Sequence, residues 1–147
     1  MAGVSVTIDD RAIVAALQRL QQHVSDLTPV YRDIGEQVQN QTKQRFRDQV
    51  DPDGIPWRDY APLNDEYQAR KDKNADKILI YDGYLSGGIH YQATGQGVEI
   101  GTNEKYGATH QYGREEDGIP ARPFLGLSDD DKAEVLEIIE QHIRDAI

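Results

Sequence analysis

The 147-residue chain contains no cysteine. Disulfides, thiolate metal ligands and cysteine nucleophiles are excluded at once. The fold must therefore hold by its own packing or by association with copies of itself. The absence also suits an intracellular chain. Large aromatic and sulfur side chains are scarce: one Trp, two Phe and one Met leave Ile, Val, Leu and Tyr to build the core. No apolar run approaches the roughly 20 residues of a membrane helix. Met1 to Asp10 lacks the basic-then-apolar order of a signal peptide. Positive charge is also short, with 16 Lys and Arg against 26 Asp and Glu, a net charge of −10. Such a surface repels phosphate and gains no counterion release, so specific nucleic-acid binding is not expected. A passage through which DNA slides without sticking is still compatible with that charge.

Hydrophobic residues make up 37% and charged residues 29% of the chain, a balance that fits one soluble domain spanning 1–147. Val4 to Ile8 alternates as a short strand or arm does. Asp9 and Asp10 then stand where a helix N-cap belongs. Ile13, Leu17, Leu20, Val24 and Leu27 recur at spacings of four and three, which predicts an amphipathic helix of about 18 residues. Thr28-Pro29 signals a second helix start, and Val30, Ile34, Val38 and Phe46 carry that helix to about Val50 despite Gly35 within it. Asp51-Pro52-Asp53-Gly54 stops it in a turn, before Ile55-Pro56-Trp57.

Pro62 to Asp76 is polar and reads as a loop or a short helix. A β-rich part follows. Ile78 to Tyr81, then Leu85 to Tyr91, then Val98 to Ile100 are extended pieces separated by Asp82-Gly83 and by Thr94-Gly95-Gln96-Gly97. They predict an antiparallel meander. Arg114 to Gly118 reads as a charged loop. Ile119 to Leu127 holds prolines at 120 and 123, so it reads as extended chain entering a last strand. Ser128 followed by Asp129, Asp130 and Asp131 is a helix start, with Val135, Leu136, Ile139 and Ile143 as the buried stripe. The expected fold class is α+β: two N-terminal helices and a C-terminal helix packed on an antiparallel sheet.

Local catalytic signals are absent. His23, His90, His110 and His142 are too far apart in sequence to pair on one helix, and no metalloprotease, phosphate-loop or nucleophile-elbow motif occurs. Asp51 to Gly54 fails as a calcium loop, because its glycine comes too early and Pro62 occupies the twelfth position. No cofactor or metal is expected. His110-Gln111-Tyr112-Gly113 is the most site-like segment by residue type, and hydrogen bonding in a buried turn or a subunit contact stands well ahead of a chemical role for it.

Five blocks, taken in order, carry a resemblance. They are Asp51 to Trp57, Ile78 to Leu85, Ile100 to Asn103, Tyr106 to Gly113, and Ile119-Pro120-Ala121-Arg122-Pro123-Phe124-Leu125-Gly126-Leu127-Ser128. Together they resemble the phage virion morphogenesis family, with Tyr81-Asp82-Gly83 as a departure where Thr or Ser is expected before the glycine. The resemblance implies a non-enzymatic virion protein acting in tail completion or head–tail joining, assembled in the host cytoplasm. It also implies a homo-oligomeric ring, often sixfold, that meets the tail tube and the neck or connector proteins, with no membrane involved.

On that reading Trp57, His110, Gln111, Tyr112, Arg122 and Phe124 are the candidate interface residues. Arg122, stiffened by flanking prolines at 120 and 123, is positioned for a forked bond to a carboxylate. Core packing is the competing role for Trp57 and Phe124. Two other classes of function remain as alternatives. One is a small cell-wall hydrolase using His110. The other is an interaction module using the first helix as a partner-binding stripe.

Overall fold

The computed structural model describes residues 4–5, 10–60, 88–102, 107–113 and 121–147. Along the chain the elements are β1 (Val4–Ser5), α1 (Arg11–Gln21), α2 (Thr28–Asp48), α3 (Trp57–Tyr60), β2 (Ile89–Ala93), β3 (Val98–Thr102), α4 (Gly107–Tyr112) and α5 (Asp129–Ala146). The architecture is α+β, with three principal helices on a small antiparallel sheet.

Helix starts follow the sequence closely. The Asp10 carboxylate accepts from the Ile13 N–H at 3.0 Å and caps α1. Ser128 and Asp131 form a reciprocal capping box at α5, Ser128 Oγ accepting from Asp131 N and Asp131 Oδ2 from Ser128 N. The start of α2 differs in detail. Thr28 is already inside the helix, and Asp26 accepts both its N–H (3.0 Å) and its hydroxyl (2.7 Å). These two bonds hold the Asp26 carboxyl below its ordinary pKa.

The end of α1 is a correction. The apolar stripe predicts helix to Leu27, but the helix stops at Gln21. Its last N–H groups turn inward, Gln22 to Arg19 O and Val24 to Leu20 O. Leu27 is buried all the same, because the descending loop lays it on the core. Spacing at threes and fours records burial, and here a loop supplies the last contacts.

The sheet order is β1-β3-β2. The β2–β3 hairpin is as expected, pairing Ile89 with Thr102 through Ala93 with Val98, and its turn closes by Thr94 N to Gly97 O at 2.9 Å. The N-terminal strand, however, lies against β3, pairing Val4 with Thr102 and Ser5 with Gly101. Among the described residues the sheet is thus the β2–β3 hairpin with the N-terminal strand added alongside β3. The extended pieces expected at 78–81 and 85–87, the turn at 82–83, and the segments 62–76 and 114–118 lie outside the described residues.

One core joins the layers. Leu20 of α1, Val30, Ile34 and Val38 of α2, and Val135, Ile139 and Ile143 of α5 pack together, with Val98 and Ile100 of β3 against them. Buried apolar area is the main favourable term in such a core. Polar ties frame it: Arg19 to Glu140, Gln37 and Gln41 to Glu134 at 2.7 and 2.8 Å, and His142 to Asp33 at 2.6 Å. These are partly exposed and contribute little each.

Helix α2 meets the hairpin at Gly35. A Cβ placed there would lie 2.4 Å from Tyr91 Cδ2 and 2.9 Å from Val98 Cγ2. The glycine that weakens helix propensity is what lets the helix sit on the sheet. Gly35→Ala should therefore lower stability, by about 1–3 kcal/mol of overpacking against a propensity gain of about 1 kcal/mol. Urea unfolding of the variant checks this, and a Tyr91→Ala background should remove most of the penalty.

Candidate functional site

Most of the candidate residues meet at the C-terminal end of α2. That helix ends on Gln49, held in the left-handed region at φ 61°. The chain then turns over the Asp51 carboxylate, which accepts from Asp53 N and Ile55 N, both at 2.9 Å. The carboxylate that superficially suggests a calcium ligand is thus used by its own turn. Trp57 N donates to Gln49 O at 2.8 Å, which returns the indole to the helix end. There Phe46, Trp57 and Phe124 stack edge-on and tilted, with centroids 5.2 and 5.5 Å apart.

Residues 121–127 cross this cluster as an extended strap without strand pairing. The strand expected here is therefore a correction. Side chains from elsewhere satisfy its backbone. Trp57 Nε1–H donates to Pro123 O at 2.8 Å. Gln111 Oε1 accepts from Phe124 N and Leu125 N, both at 3.0 Å, and its Nε2–H donates to Leu125 O at 3.1 Å. Arg45 donates to Phe124 O and Gly126 O, both at 2.7 Å, and to Asp131 Oδ2 at 2.8 Å.

Arg45 is 5% exposed. Its burial pulls the guanidinium pKa down, and Asp131 pushes it back up. The planar fork suits this place, because it reaches three acceptors at once while keeping its charge. Arg45 is not among the residues singled out from sequence above. A signal was available: 38, 42 and 45 continue the buried spacing, and Val38, Thr42 and Arg45 are all buried.

The six candidates divide by exposure. Trp57, Gln111, Arg122 and Phe124 point inward, and Trp57 and Phe124 are wholly buried. Burial lowers the pKa of Arg122. Tyr112 stands out on the surface at 64% exposure, one residue past the gripping Gln111. His110 lies on α4, and its side chain is outside the described residues. Among the described residues no group of three or more His, Cys, Asp or Glu is placed to hold a metal ion. None of the described helices is long and apolar enough to cross a membrane.

The strap also walls an apolar cleft of about 510 Å³. Leu125 and Leu127 line it together with Ile13 and Leu17 of α1 and Val98 and Ile100 of β3. Burial raises the pKa of the phenol of Tyr31, which lines the same cleft.

The profile of the phage virion morphogenesis family matches residues 8–144. The chain belongs to that family. Among its relatives is the G protein of Escherichia phage Mu, whose name assigns it to capsid assembly, 28% identical over 97% of this chain and 96% of that protein. G protein 2 of the Mu-like prophage FluMu in Haemophilus influenzae is 29% identical over 90% of this chain and 89% of that protein. An uncharacterized Methanocaldococcus jannaschii protein is 35% identical over 45% of this chain and 53% of its own length. No solved structure matches the chain. The match takes in α1, α2, the whole strap and all but the last two residues of α5, so the gripped 121–127 segment lies inside the family's shared region.

Gln111 is the group on which the strap's central residues depend. Gln111→Leu keeps much of the volume and strands two N–H groups and one carbonyl. It should cost about 2–4 kcal/mol, since each stranded buried group costs about 1–3 kcal/mol and some rehydrate. Gln111→Glu should also destabilise, because an oxygen then faces Leu125 O. Denaturant unfolding with an unchanged m value is the measurement for both.

Proposed function

We propose that this morphogenesis protein is a structural subunit that completes the tail or joins it to the head, working as a ring of identical copies at the head–tail junction. The observation that carries the reading is the family match across 8–144. A Mu relative named for capsid assembly supports a role near the head, and the junction is where head and tail parts meet. The chemistry of the described residues agrees. Asp51, Gln111 and Arg45, which have the functional groups of a reacting centre, are occupied in holding backbone. Function then resides in surfaces that fit the tail tube on one side and neck proteins on the other.

Among the candidates whose side chains are described, Tyr112 is the one exposed to a neighbouring subunit. Aromatic anchors of this kind dominate many protein interfaces. Light scattering on the pure protein should show a defined oligomer. Particles made without the gene should carry heads and tails that fail to join, and normally attached tails in such particles would overturn the reading. Tyr112→Asp should change monomer stability by no more than about 0.5 kcal/mol, as exposed substitutions usually do, yet reduce oligomer formation and particle yield. Comparing unfolding with light scattering on the same sample separates the two effects.

A further inference from the structure

The strap and α5 share one fastening. Asp131 Oδ2 accepts both the Ser128 N–H of the α5 capping box and the Arg45 guanidinium. The same guanidinium holds Phe124 O and Gly126 O. A single cation on α2 thus binds the strap at two carbonyls and the helix cap at one carboxylate. Beyond the cap, α5 packs on α1 and α2 through Val135, Ile139 and Ile143. The α2–hairpin contact at Gly35, Tyr91 and Val98 involves none of these groups.

We infer that residues 121–147 are a latch: strap and α5 dock and release as one unit, Arg45 is the pin, and release opens the apolar cleft between α1, α2 and β3. Three features lead there. First, the described hydrogen bonds of the strap backbone at 123–126 come from side chains on separate elements, with no ladder to zip residue by residue. Bonds in such an array support one another, so loss of a donor that holds two of its carbonyls weakens the hold of the rest. Second, the strap supplies Leu125, Gly126 and Leu127 to the wall of the cleft, and α5 adds Val135. Third, Val98 and Ile100, also in the lining, lie on the hairpin, whose contact with α2 at Gly35 uses no group of the latch. Opening therefore leaves half the cleft standing on a folded hairpin. Sub-global opening of this kind is the usual behaviour of contiguous units with a separate set of contacts. The device does not depend on ring formation.

The test is hydrogen exchange by mass spectrometry on the full chain, with Arg45→Met and Arg45→Lys compared with the parent. Binding of the apolar dye anilinonaphthalene sulfonate is measured in parallel. In Arg45→Met, amides across 124–143 should exchange about tenfold faster or more, as expected when a buried charged bond worth more than about 1.4 kcal/mol is removed. Amides of β2, β3 and the first half of α2 should keep their protection, and dye fluorescence should rise. Arg45→Lys, which keeps the charge but has no fork, should fall between.

Asp131→Asn probes the same pin from the other end and should free the strap as well as α5. Equal loss of protection in the hairpin would mean the pin holds the whole fold and would overturn the latch. So would α5 loosening while 124–126 stay protected, or no change in either.

Discussion

A backbone that runs through a core must have its polar groups met, and residues 123–126 do so without belonging to a helix or a sheet. Each unmet N–H or C=O there would cost about 1–3 kcal/mol, a large fraction of the roughly 5–15 kcal/mol by which a domain is stable. Arg45, Trp57 and Gln111 prevent that cost. Much else follows from where those three must stand. Gln49 takes a left-handed conformation, and the Asp51 turn brings Trp57 back to the helix end. Helix α4 is placed so that Gln111 reaches across to residues 124 and 125, and the capping box of α5 opens toward Arg45.

This arrangement also decides which parts of the fold were legible in sequence. Signals confined to a few neighbouring residues read correctly. Ser128 with Asp131, Asp10 before Ile13, and Thr94 to Gly97 each specify a local geometry, and each is present. The strap read only halfway. Prolines at 120 and 123 rule out helix, and extended chain is what the structure has at 121–127. Pairing was then expected because extended backbone usually finds a strand, yet its partners are side chains 13 to 81 residues away. No local pattern encodes that. The end of α1 failed for a related reason, since Leu27 keeps the helical interval while sitting on a loop.

The candidate site shows the same division. The family's block from residue 119 to 128 and the His-Gln-Tyr-Gly block were recognised together, and the structure gives a physical reason why they belong together: Gln111 from one grips residues 124 and 125 of the other. Gln111, for which a buried turn and a subunit contact both stood open, and Arg122 are buried in their own chain. Tyr112 illustrates the converse. Its neighbour is fixed by three hydrogen bonds, so an exposed phenol is presented on a rigid base. A side chain held in that way loses little conformational entropy on docking.

Charge sets a further constraint on assembly. Several of the few cations are engaged within the chain: Arg45 with Asp131, Arg19 with Glu140, Arg144 with Glu137 and Lys132 with Asp10. The excess of acid in a net charge of −10 therefore remains to be shared by the surface. Identical copies brought together repel at long range, and at physiological salt that repulsion is screened beyond about 8 Å. Attraction between subunits must then come from short-range contacts, apolar or hydrogen-bonded, that act inside the screening length. Exposed large apolar groups are few among the described residues: Val14, Ile55, Tyr112 and Ile147. In an assembly of the kind proposed above, specificity would then come from a small number of rigidly presented side chains. An acidic surface also gains no counterion release on contact with phosphate. In the ring proposed above, that favours subunits that hold each other through local contacts while leaving the genome free to move past.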